Sequence, residues 1–145
     1  MAKPAKTVFM DMVETALKTV IESNHDVQRR PTVPTDRDNF KAPFIRFAYF
    51  ASRKRRDNRV QFVEFDLQVE TSIERTGMDS VDVVGEALQA DIEIKLLALM
   101  GTKPCVKIEC TGDDILYYDD EFRAGMAVST YAVMIAYNYG NPYSY

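Results

Sequence analysis

Val63-Glu64-Phe65-Asp66-Leu67-Gln68-Val69-Glu70-Thr71-Ser72-Ile73 alternates almost without a break. Phe65, Leu67, Val69, Thr71 and Ile73 point one way, and Glu64, Asp66, Gln68, Glu70 and Ser72 the other. A two-residue period of this length is a β-strand with one buried and one polar face. Just upstream, Val60 and Phe62 fall in the opposite phase, which predicts a bulge near Val63 within a strand running from Arg59 to Ile73. Ala42 to Arg53, with Phe44, Ile45, Phe47, Tyr49 and Phe50, gives the strand before it, opened by Pro43. Lys54-Arg55-Arg56-Asp57-Asn58 then joins the two as a hairpin, because Asp and Asn accept the left-handed conformations of tight turns.

Helices flank this hairpin. From Thr7 to Glu22, Phe9, Met12, Val13, Ala16, Leu17, Val20 and Ile21 recur at spacings of three and four, with Glu14 and Lys18 on the wet side. A second helix is expected from Ser80 to Met100, capped by Asp79 or Ser80 and ended by Gly101. Its stripe reads Val81, Val84, Leu88, Ile92, Leu96 and Leu99, with Glu86 and Gln89 outside it. Between the first helix and the hairpin, His25 to Lys41 has Pro31 and Pro34 and little periodicity, and reads as a long connection.

Val106 to Cys110 is a third strand, Thr111 to Asp114 a turn, and Ile115 to Tyr118 a short fourth strand before the acidic turn Asp119-Asp120-Glu121. Met126 to Tyr139 is a long strand with Val128, Ala132, Met134 and Ala136 on one face and Tyr131, Val133, Ile135, Tyr137 and Tyr139 on the other. Neither face is polar, so the strand is either central in a covered sheet or has its second face buried by a partner subunit. The expected architecture is one α+β domain over residues 1–145, a mostly antiparallel sheet of four to five strands against two helices.

At 145 residues, 46% apolar and 28% charged, the chain can bury a core without covalent staples. Its formal net charge of −4 speaks against a general DNA-coating protein. Cys105 and Cys110 are expected on opposite faces of a strand, His25 is the only histidine, and no multi-histidine metal site can form. No apolar run reaches the length of a membrane span and no signal-peptide core opens the chain, which reads as a cytosolic product. Neither GxxxxGK[ST] nor GxGxxG occurs, and no nucleophile or base is set beside the paired acids Asp113 and Asp114. The reading is a non-enzyme with no catalytic residue, metal or cofactor.

Two clusters of opposite charge carry the functional expectation. Arg53, Lys54, Arg55, Arg56 and Arg59 crowd the hairpin, and Asp113, Asp114, Asp119, Asp120 and Glu121 occupy the later turns. The basic run fits a solvated turn, a contact for an acidic protein surface, or phosphate contacts. Set against the acids of a neighbouring copy, it suits the head-to-tail contact of a closed ring. The tyrosines, Tyr137 and Tyr139 among them, exceed what two helices can cover and add to the expected oligomer surface.

Taken together, the helix opening at Thr7, the Pro43-Phe44-Ile45 strand start, the acidic-faced strand Val63 to Ile73, the helix Ser80 to Met100 and the Tyr117-Tyr118-Asp119-Asp120 stretch leading into a tyrosine-rich last strand resemble a phage tail terminator. The likeness covers most of the chain and lies in element order and texture, with no diagnostic motif. It implies a hexameric ring that caps the tail tube, ends its polymerisation and offers a docking surface to the head and neck. Implied partners are the chain itself, tail tube protein, neck or connector proteins and, in a contractile tail, sheath protein. DNA would pass through the lumen without sequence-specific binding, and the site of action would be the virion tail after assembly in the host cytoplasm. Other neck and head-tail connector proteins share this size and texture, and the arginine-rich hairpin matches no hallmark of the family.

Overall fold

The structure, a computed structural model, describes residues 2–20, 26–29, 44–74, 80–117 and 124–145. Its elements are α1 (Ala5–Val20), β1 (Asp26–Arg29), β2 (Phe44–Asp57), β3 (Val60–Glu74), α2 (Val81–Leu97), β4 (Cys105–Tyr117) and β5 (Ala124–Asn138). The strands form one sheet in the order β1-β2-β3-β5-β4, antiparallel throughout except for the parallel β1–β2 pair. Both described helices pack on the same face, so the α+β expectation holds.

The two-residue period of β3 sets the layering. Val63, Phe65, Leu67, Val69, Thr71 and Ile73 are buried beneath the helices, while Asp66 on the other face is exposed. Ala5, Phe9, Met10, Val13 and Leu17 of α1 close over this surface, and Phe9 meets Phe65 edge to face at 5.6 Å. The chain terminus returns to brace α1: the Ala5 amide donates to the Pro142 carbonyl at 2.8 Å. The second helix lies close to the sheet at Gly85, where an added methyl would come within 2.7 Å of the Ile115 side chain.

Several local expectations change. β3 pairs with β5 in one register from Val60–Asn138 to Glu74–Ala124, so the bulge near Val63 is absent. Phe62 faces the helix-free side, where the Arg55 guanidinium lies 5.1 Å from its ring. The bulge lies instead in β2 between Phe50 and Arg53, with Ala51 at φ 54°. β2 continues through the arginine run to Asp57, and the turn shrinks to Asn58-Arg59, with Asn58 at φ 55° supplying the left-handed residue.

β4 runs unbroken through the expected Thr111–Asp114 turn, because β5 offers a continuous template and two register shifts absorb the extra residues. These lie between Cys105 and Lys107 and between Cys110 and Gly112. The first shift turns both cysteines to the helix side, opposite Ile135 and Tyr131, and not to opposite faces. Both thiols are free, and burial pushes that of Cys105 up to about 11. Within the expected long connection, Asp26–Arg29 is a strand pairing with Phe44–Phe47. α2 ends at Leu97 rather than Met100, and Ser80 caps its start without a side-chain bond to the backbone, its hydroxyl bonding the Asp82 carboxylate instead.

Candidate assembly surfaces

The basic run lies at one corner of the sheet. β1 reaches only as far as Phe47, so beyond it β2 has no outer neighbour among the described residues, and Phe50 to Arg59 are exposed. Strand alternation splits the cations. Arg53 and Arg55 point to the helix-free face with Phe62, and Lys54 and Arg56 to the helix side. Arg56 stacks 3.8 Å from the centre of the Tyr139 ring and donates through Nε to the Asn58 carbonyl at 2.9 Å. Arg59 sits in the turn itself, its carbonyl accepting from the Tyr139 amide at 2.8 Å.

Lys6 of α1 extends this corner, bonding Ser52 Oγ at 3.0 Å and lying 4.5 Å from the Tyr49 ring centre. Burial, and then the nearby Lys54 charge, hold its ammonium below the usual lysine range. Among the described residues, none of Arg53, Lys54, Arg55, Arg56 and Arg59 lies within ion-pair distance of a carboxylate.

At the far edge, Asp113 and Asp114 lie within β4 and join Glu86 and Glu93 of α2 around a groove of about 420 Å³. Gln89 forms its inner wall: nearly buried, it donates to the Asp114 carbonyl at 2.8 Å and the Val128 carbonyl at 3.2 Å. These bonds tie α2 to both β4 and β5. Glu86, Gln89 and Glu93 escaped the sequence reading of the site, although their spacing of three and four marks one polar helical stripe. Asp119 and Asp120 lie outside the described residues.

Tyr131 lies close to this groove, wholly buried, and among the described residues its hydroxyl has no well-formed hydrogen bond, Ser129 being the side chain that acts on it most directly. Burial first, then Cys110, Asp113 and Glu93, push its phenol above the usual tyrosine range. The same acids reach Cys110, whose thiol is raised by burial and then by Asp113. A buried hydroxyl without a well-formed hydrogen bond costs stability, so Tyr131→Phe is expected to leave the melting temperature unchanged or raise it. The folded chain also keeps a proton that the unfolded chain releases near pH 10.0, so stability falls as pH rises beyond that value. Denaturation of both forms between pH 8 and 11 checks this: the alkaline loss should be smaller in Tyr131→Phe.

The helix-free face is the third surface. Phe62, Val128, Ala132, Met134 and Ala136 are half-exposed there, while Phe50 and Leu116 are 51% and 43% exposed. A trough of about 280 Å³ crosses it, floored by Ala132 and Met134 and walled by Arg53, Glu64, Asp66, Lys107 and Glu109. The two tyrosines expected at an oligomer surface separate. Tyr137 is 8% exposed within the core under the helices, and Tyr139 is 52% exposed at the basic corner.

Among the described residues, no group of three or more His, Cys, Asp or Glu is placed to hold a metal ion, and no helix is long and apolar enough to cross a membrane. The molecule defined by these features is a two-layer α+β fold whose sheet, among the described residues, carries helices on one face only, with a basic corner and an acidic groove towards opposite sides of the sheet. No protein-family model matches the chain, and no curated protein matches it.

Proposed function

We propose that this chain is a structural subunit that assembles into a ring with copies of itself and caps the tail tube of a long-tailed phage. In that role it ends tube growth and presents a docking surface to the neck. The observation that carries the reading is the helix-free sheet face, whose half-exposed Val128, Ala132, Met134 and Phe62 lie beside exposed Phe50 and Leu116. Apolar surface of this kind, rimmed by charge, marks a protein contact. The resemblance of element order to tail terminators supplies the particular assembly; tube protein, neck or connector proteins and sheath are the partners it brings.

Tubes polymerised from tail tube protein with and without this chain test the proposal. Length-limited tubes carrying a ring at one end are the expected result in electron micrographs. Tubes of unchanged length with no bound chain overturn it. A second reading, contact with nucleic acid, is favoured by the cations of the β2–β3 hairpin, which meet no carboxylate among the described residues. It requires DNA affinity that falls steeply with added salt and is lost in Arg55→Glu/Arg56→Glu.

A further inference from the structure

The basic corner and the acidic groove cannot neutralise each other within one chain. Arg55 pairs with Phe62 on β3 and, through it, lies level with Ala136 of β5, whereas Asp113 pairs with Ser129. Ser129 and Ala136 are separated by roughly 23 Å along the strand, and β2 and β4 by roughly 14 Å across the sheet. The two surfaces are therefore several Debye lengths apart in physiological salt, where one length is about 8 Å. They also occupy opposite lateral edges, so engaging one leaves the other free. A contact between two different patches of identical chains is heterologous, and its repetition closes a ring when the rotation permits.

Both halves are shaped for the contact. Stacking on Tyr139 and the bond to the Asn58 carbonyl hold Arg56 in place, and Phe62 supports Arg55, so less freedom is lost when the guanidinia are captured. Guanidinium is also the cation best matched to carboxylates, through two parallel bonds. On the receiving side Gln89 fixes the groove wall with two hydrogen bonds.

We infer that the groove between α2 and β4 receives the basic corner of a second copy of this chain, Arg56 of one copy meeting Glu86, Glu93 and Asp113 of the next with Arg55 beside it on the other face of the same strand edge. The inference rests on the ring reading and names the two surfaces that build it.

Three proteins test it by native mass spectrometry and sedimentation at low salt: wild type, the corner variant Arg55→Glu/Arg56→Glu and the groove variant Glu86→Lys/Glu93→Lys. Wild type should form oligomers that dissociate as salt is added. Each variant should remain folded by circular dichroism and associate roughly a hundredfold or more weakly, because like charges then face each other. Mixing the two variants is the decisive step. The corner variant keeps an intact groove and the groove variant an intact corner, and the two altered surfaces set glutamate against lysine, so the mixture should recover mixed oligomers that neither variant forms alone. Should the lysine pair fail to fold, Glu86→Gln/Glu93→Gln replaces it, with an expected loss of about tenfold.

A mixture that stays monomeric while wild type assembles overturns the pairing and leaves ring formation standing on another surface. Corner variants that assemble like wild type but lose DNA affinity overturn it in favour of nucleic acid. Wild type that is monomeric at every concentration overturns the self-contact, while the capping role is judged separately by tube length.

Discussion

Phe9→Ala is expected to cost the fold about 3–5 kcal/mol, the usual range for removing a buried aromatic ring. Phe9 is wholly buried and meets Phe65 edge to face, and Phe65 in turn meets Tyr49 at 5.5 Å in a second edge-to-face pair. The three rings link α1 to β3 and β2, so losing the first removes dispersion contacts and leaves a cavity between the layers. Domains of this size commonly hold only about 5–15 kcal/mol in reserve, and the change would take a large share of it. Phe9→Leu keeps much of the volume and should lose less, roughly 1.5 kcal/mol or under. Urea denaturation of the three proteins is the measurement. A loss below about 1 kcal/mol for Phe9→Ala would show that α1 does not anchor the sheet through this ring.

Phe9 was legible in the sequence because a sixteen-residue amphipathic helix repeats its signal several times over. The same holds for β3 and β5, where the two-residue period extends over strands long enough to exclude a helix. Shorter or interrupted signals misled. Asp26-Val27-Gln28-Arg29 is too brief for any period to emerge, and its pairing with Phe44–Phe47 is a tertiary event. Gly112-Asp113-Asp114 has the composition of a turn, yet pairing with β5 outweighs local preference and holds it extended. Phe62 looked like a change of phase because an aromatic residue was assumed to seek the core; it lies on the open face beside Arg55.

The candidate site was half legible for the same reason. Both clusters of charge could be read as composition, but their positions depended on these misread segments. The arginines lie on a strand edge and not in a wide turn, and Asp113 faces α2 carboxylates whose proximity only the packing of α2 on β4 creates, while Asp114 beside it meets α2 through its carbonyl. The surplus of tyrosines was a weaker guide, since burial separates Tyr137 from Tyr139 in a way that their shared alternation does not reveal.

The most discriminating result should come from α2, where the structure reverses one sequence-based expectation. Glu86 and Gln89 both fall outside the apolar stripe and would be equally dispensable on that pattern alone. Glu86 is exposed and Glu86→Ala should stay within about 0.5 kcal/mol of wild type. Gln89 is 5% exposed, and Gln89→Ala leaves the Asp114 and Val128 carbonyls without its two hydrogen bonds, an expected cost of roughly 1–3 kcal/mol. Ile92 is 1% exposed in the main core, so Ile92→Ala should cost about 2–5 kcal/mol, whereas half-exposed Leu88 should cost less than Ile92. The order Ile92 over Gln89 over Glu86 in chemical denaturation is specific to this placement of α2. Equal and small losses at Gln89 and Glu86 would mean that the helix is rotated about its axis, and the acidic groove would then lose its inner wall.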